Sequence, residues 1–152
     1  MNHALPSILL VDDDEGHLMV AKRAIARSNL DVEVFVAHSG VEALRRLGLD
    51  AQDGPPIGLV LVMLDLSMPG VSGWEVLRQI RQSDRAQRVP VVVVSSSDRP
   101  DDVRRSYELG ANSYLVKRFE AERPGGYLAD AARYWVELNE APSSSGRRPG
   151  LA

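Results

Sequence analysis

Cysteine is absent from the chain, which rules out a disulfide framework, thiol nucleophiles and Cys-ligated zinc or iron–sulfur centres, and fits a reducing cytosol. Long hydrophobic runs are absent too. Nothing approaches the roughly 20 apolar residues of a membrane span, and Met1 to Pro6 is too short and too polar for a signal peptide. Neither sign of charge is in large excess: with a net charge of -3 and 26% charged residues, the composition points to neither nucleic acid nor a membrane as a partner. Aromatic residues are scarce, at 5%. The expectation is one soluble, cytoplasmic domain, since 152 residues suffice to bury most of a single core.

What is present is organised around Leu59 to Gly73, LVLVMLDLSMPGVSG. Six apolar residues, Leu59 to Leu64, run without interruption into Asp65, and a loop holding Met68, Pro69, Gly70 and Gly73 follows. A short, wholly apolar, Val-rich run reads as a strand buried on both faces, the habit of parallel sheets covered by helices. Such a strand delivers Asp65 to its carboxyl end, the edge where ligands bind in open parallel sheets. A loop-capping aspartate is the bland alternative for this residue alone.

Other strands end in the same way. Ser7 to Val11 is an apolar run closing on three consecutive acids, Asp12, Asp13 and Asp14. One of them suffices to cap the following helix, Glu15 to Ser28. Two adjacent carboxylates about 4 Å apart repel by about 4 kcal/mol at an effective dielectric near 20, so the cluster points to a bound cation. Val32 to Val36 alternates as a second strand. Ser39 to Leu49 follows as a helix with Ser39 as N-cap, Glu42 as its capping-box partner, and Val41, Ala43, Leu44 and Leu47 facing inward. Ser72 to Gln82 makes a third helix, in which Trp74 reads as packing. Val91 to Val94 runs into Ser95, Ser96 and Ser97, Pro100 to Leu109 is a polar helix stopped at Gly110, and Ser113 to Val116 ends at Lys117. The last helix is expected over Tyr127 to Leu138.

Strands alternating with helices in this way predict an α/β, doubly wound, five-stranded parallel sheet in flavodoxin-like order 2-1-3-4-5. Residues 1–6 read as a tail, 7–138 as the domain and 139–152 as a disordered C-terminal tail too poor in apolar residues to pack. In that topology acids, a hydroxyl and an ammonium converge on one sheet edge. His3, His17 and His38 are scattered and read as surface histidines.

The segments ILLVDDD, LDLSMPGVSGWEVL, PVVVVSS and ELGANSYLVK, in this order and spacing, resemble the receiver domain of two-component response regulators over roughly Ser7 to Leu138. The resemblance implies that Asp65 accepts a phosphoryl group from a histidine kinase, the protein being a phosphoacceptor that promotes its own phosphorylation and dephosphorylation rather than an enzyme. It implies that Asp12, Asp13 and Asp65, with the Ser67 carbonyl, hold Mg2+ or Mn2+. Ser95 falls at the hydroxyl position that contacts the phosphoryl oxygen, Lys117 at the lysine position and Tyr114 at the switch aromatic. Ser67 and Ser97 stand where they could gate the hydrolytic water. RSYELGANSYLVK and YWVELNEAP resemble, more narrowly, single-domain regulators partnered with bacterial phytochrome kinases. With no output domain after Leu138, the expected output is contact with the kinase and with a second copy. The face of the fourth helix, fifth strand and last helix would supply it through Tyr107, Tyr114, Tyr134 and Trp135, with Leu128 and Leu138 adding apolar contact.

Two departures from the family pattern stand out. Arg118 follows Lys117 where the family usually has a proline with a cis bond, a conformation costly for any other residue, so the Lys117 loop is expected to be built differently. Pro124, Gly125 and Gly126 fall where the last helix normally starts and are expected to shorten it. Arg118 keeps open the alternative of a degenerate receiver acting without phosphorylation. A haloacid-dehalogenase-type phosphatase would need a second aspartate at position 67, where serine stands, and no glycine-rich phosphate loop follows the first strand.

Overall fold

A computed structural model describes residues 5–51 and 53–142. The elements are β1 (Ser7–Val11), α1 (Glu15–Arg27), β2 (Glu33–Ala37), α2 (Gly40–Arg46), β3 (Leu59–Leu64), α3 (Gly73–Gln82), β4 (Val91–Ser95), α4 (Pro100–Glu108), β5 (Ser113–Val116) and α5 (Gly126–Arg133), which continues as a π-helical turn over Tyr134–Leu138. The five strands form one parallel sheet in the order β2-β1-β3-β4-β5. This is the doubly wound architecture expected from the alternation of apolar runs. Residues 143–152, most of the segment read as a disordered tail, lie outside the described residues, as do residues 1–4.

The core divides into two clusters, one on each face of the sheet. Leu9, Val11, Val62, Leu64, Val91 and Val93 pack toward α2 and α3, whose Ala43, Val76, Leu77 and Ile80 meet them together with Leu47, the residue that ends α2. Ile8, Leu10, Leu61, Met63, Val92 and Val94 pack toward α1 and α5. Alternate residues of β1, β3 and β4 thus bury opposite faces, which is why these strands read as unbroken apolar runs. β2, at the sheet edge, is only half-buried, with Val34 and Val36 on the α1 side and Phe35 on the other.

Local signals set most helix starts. Asp14 Oδ1 accepts the His17 N–H at 3.1 Å, so it is the one acid of the triplet that caps α1. Ser39 Oγ accepts from the Glu42 N–H at 3.1 Å. Glu42 does not close the box on Ser39: its Oε2 accepts from the His38 N–H at 2.9 Å, one residue further out. Val41, expected inward, is half exposed because only Ala43, Leu44 and Leu47 of this short helix turn to the sheet. Trp74 does more than pack, since the Arg105 guanidinium of α4 lies 4.2 Å from its ring centroid. Leu128, expected at a contact surface, is 1% exposed and belongs to the core facing α1.

Candidate functional site

Strand register brings the candidate residues together. Val11 pairs with Leu64, and the Asp65 N–H donates to the Val11 carbonyl at 2.9 Å, so Asp12 and Asp65 leave neighbouring strands side by side. Ser95 pairs with Val116, and the Lys117 N–H donates to the Ser95 carbonyl at 2.7 Å, which sets Lys117 next to the same edge. Gly73 lets the start of α3 close on the loop: a Cβ there would stand 2.0 Å from the Asp65 carbonyl oxygen and 2.7 Å from the Leu66 Cα.

Asp12 and Asp65 are 3% and 5% exposed, and Asp13 is exposed. One carboxylate oxygen from each of the three lies within 4.8 Å of the others. Lys117 Nζ stands 2.8 Å from Asp12 Oδ2 and 3.5 Å from Asp65 Oδ2. The lysine therefore reaches the site although Arg118 follows it and no peptide bond among the described residues is cis. It already contacts both acids, rather than waiting for an added group. Burial pushes the Asp65 carboxyl up, the Asp12 charge pushes it further, and Lys117 only partly opposes them, leaving it at about 6. Burial also pushes Asp12 up, but hydrogen bonds from His17, Lys117 and the Asp14 N–H outweigh it and hold the group at about 2. Burial works against the Lys117 ammonium as well, yet Asp12 and Asp65 carry its value above the usual lysine range. Two buried acids with opposed shifts, one lysine and a third acid at the rim make a hard, oxygen-rich donor set.

Ser67 donates its N–H to Asp65 Oδ1 at 3.4 Å. Ser95 is buried, and its Oγ accepts the Ser97 N–H at 3.1 Å, which leaves its own proton to donate. Ser97 Oγ donates to Asp102 Oδ2 at 2.6 Å and so serves the start of α4; it is committed there instead of to a water at Asp65. Tyr114 OH donates to the Ser97 carbonyl at 2.7 Å.

A family model of the response regulator receiver domain matches residues 8–124. The chain belongs to the response regulator receiver domain family. Among curated relatives, the probable methanogenesis regulatory protein FilR2 of Methanothrix harundinacea is 37% identical over 135 residues, covering 89% of this chain and 86% of the relative. The crystal structure of the Mn2+-bound form of response regulator Rcp1, a protein of Synechocystis sp., matches with a TM-score of 0.77 at 31% identity, covering 91% of this chain and 99% of Rcp1. The crystal structure of the phosphorylated cyanobacterial phytochrome response regulator RcpA matches with a TM-score of 0.79 at 32% identity, covering 92% and 100%.

This receiver domain holds residues at its site that the sequence did not single out. His17, read as a surface histidine, is mostly buried: its Nδ1 lies 2.8 Å from Asp12 Oδ2 and its Nε2 3.5 Å from the Tyr127 hydroxyl. The available signal was its position, since the helix start at Glu15 turns His17 of the receiver's first helix back toward Asp12. Tyr127 was read only as the first residue of the last helix, and nothing local marks it. His38, by contrast, is a surface residue, between Glu15 and Glu42. No helix among the described residues is long and apolar enough to cross a membrane.

Proposed function

We propose that Asp65 accepts a phosphoryl group from a phosphohistidine of a histidine kinase, and that the modified protein signals by contact with other proteins. The observation that carries this reading is the meeting of a buried carboxylate, a lysine ammonium and a donating hydroxyl at one sheet edge. An Asp65 oxygen attacks phosphorus in line, the P–N bond breaks, the imidazole of the kinase takes up a proton, and a mixed anhydride remains on Asp65. With its carboxyl at about 6, Asp65 is mostly ionised at neutral pH and able to attack. Lys117 pairs one phosphoryl oxygen, and Ser95 donates a hydrogen bond to another. Asp12, Asp13 and Asp65, with the Ser67 carbonyl, fit Mg2+ or Mn2+, whose charge when bound offsets that of the carboxylates and the phosphoryl oxygens. The anhydride is labile in water, and the same groups that favour its formation favour its hydrolysis, so the mark is temporary and self-erasing.

The position of Lys117 against both acids supports a working receiver over a degenerate one. A phytochrome-type kinase in the cytoplasm is the proposed partner, supported by the likeness to RcpA. A second copy of the chain is the proposed dimer partner, through the exposed Tyr107, Tyr134 and Leu138, with Tyr114 as the switch aromatic beneath that face. Intact-mass analysis after exposure to acetyl phosphate tests the central claim: one phosphoryl group per chain should be added with Mg2+, with only a small fraction of chains labelled without it, and none in Asp65→Asn. Undiminished labelling of that variant would move the assignment to another carboxylate. Sedimentation with and without a phosphoryl mimic tests the dimer, and a monomer in both states defeats it.

A further inference from the structure

Arginine at position 118 brings the loop after β5 a backbone N–H that a proline would lack, and in a part-buried setting that donor needs a partner. It meets the Tyr127 hydroxyl at 3.4 Å. The guanidinium of the same arginine lies 4.9 Å from the Tyr127 ring centroid, within cation–π range. Glu120 Oε1 accepts the Tyr127 N–H at 3.1 Å. The segment from Lys117 to Glu120 is thus tied to the first turn of α5 at two points, both through one residue.

Tyr127 reaches this position because of the Pro124-Gly125-Gly126 sequence before it. Gly125 has φ +72, and a Cβ there would stand 3.0 Å from side-chain atoms of Val20 and Ala24, so α5 begins against α1 where a larger residue would hold it off. The Tyr127 ring is then buried beside His17. With the imidazole proton on Nδ1, the donors run one way: Arg118 N–H to the Tyr127 oxygen, Tyr127 O–H to His17 Nε2, His17 Nδ1–H to Asp12 Oδ2. Lys117 Nζ, on the same Asp12 oxygen, closes the circuit.

We propose that Tyr127 is a positioning residue for phosphoryl transfer, accepting the Arg118 N–H and carrying its guanidinium so that the turn after Lys117 holds the ammonium over Asp12 and Asp65. This rests on the reading of Asp65 as phosphoacceptor. Tyr127 touches none of the reacting atoms and acts through Lys117. The hydroxyl contacts, at 3.4 and 3.5 Å, are long, so each is weak and the expected effect is modest.

The test is Tyr127→Phe in the full chain, which removes only the hydroxyl. The maximal rate of labelling by acetyl phosphate at saturating Mg2+ should fall about fivefold, as for the loss of one net hydrogen bond, while the donor concentration at half-maximal rate stays unchanged. In a Lys117→Ala background the same substitution should leave the residual rate unaltered, because the group being positioned is gone. Amide hydrogen exchange at Arg118, read without any phosphodonor, should speed up several-fold. An equal fall in both backgrounds overturns the proposal, since Tyr127 would then act elsewhere. Unchanged exchange at Arg118 overturns it as well, whatever the labelling shows. A wild type that takes up no phosphoryl group defeats the Asp65 reading and the transfer role with it, and the exchange measurement still decides whether the tie exists.

Discussion

Asp65→Asn should stabilise the protein at neutral pH while abolishing its labelling. The folded state pushes the Asp65 carboxyl from 3.8 to about 6, so keeping it ionised above that value opposes folding. Below pH 3.8 the group is protonated in both states and contributes nothing. Between 3.8 and about 6 the folded chain holds a proton that the unfolded chain has released, so stability falls as pH rises through this window. At about 1.4 kcal/mol per pH unit the full cost is about 3 kcal/mol. Asparagine has no such cost but leaves a polar amide in the same buried place, so a net gain of about 2 kcal/mol is expected. For a chain of this length that is a rise of about 4–8 °C in Tm. Asp12 has the opposite sign, contributing stability above 3.8 that is lost as pH falls through about 2; in the folded state it stays ionised at both assay pH values, so the change in the difference between the two proteins follows Asp65. Thermal or urea unfolding without divalent cation at pH 7.5 and 4.5 is the assay. At the lower pH the ionisation cost falls to about 1 kcal/mol, which the buried amide cancels, so the gain should all but vanish there, and saturating Mg2+, binding the wild type through ionised Asp65, should narrow the gap at pH 7.5. A variant no more stable than wild type at pH 7.5, or a difference of the same size at both pH values, would refute the reasoning.

Lys117→Ala removes the ammonium 2.8 Å from Asp12 and 3.5 Å from Asp65, so Mg2+ affinity should rise by about tenfold and labelling should slow. Carboxyl NMR should find Asp65 above about 6 in that variant, and an unaltered affinity would take Lys117 out of the site. Gly73→Ala puts a Cβ 2.0 Å from the Asp65 carbonyl oxygen, which only backbone movement relieves; a cost of about 3 kcal/mol is expected in urea unfolding, and a loss too small to resolve would contradict the close approach. Leu128→Ala should cost about 2–5 kcal/mol and leave the association state unchanged. Leu138→Ser, at a residue 71% exposed, should cost less than about 0.5 kcal/mol and weaken dimerisation; the reverse pattern would restore Leu128 to the interface.

The parts of the site that lie in line with a strand were legible. β1, β3 and β4 are covered on both faces, so their residues form unbroken apolar runs, and a run that breaks at Asp12, Asp65 or Ser95 marks the sheet edge in one dimension. Lys117 was legible for the same reason, as the residue after a short strand. Caps are equally local: Ser39, Ser72 and Asp14 reach N–H groups three residues on, within the same turn.

Beyond that, distance in the chain limited the reading. Tyr127 and His17 are 110 residues apart, and only the packing of α5 on α1, at a helix start that Gly125 allows, brings hydroxyl and imidazole together. The Arg105 guanidinium over Trp74 depends on how α4 lies beside α3, which no local pattern encodes. Helical periodicity placed Val41 and Leu128 on apolar stripes but could not say how wide a stripe the neighbouring layer covers, so one proved half exposed and the other fully buried. The sequence alone therefore determined the order of elements and which residues stand at the strand ends, because both follow from short-range alternation and local hydrogen bonding. The tertiary structure alone decided which charges meet and which groups are shut away from water. Through those two things it raised Asp65 and depressed Asp12, because desolvation and Coulomb interaction depend on separation in space and not along the chain.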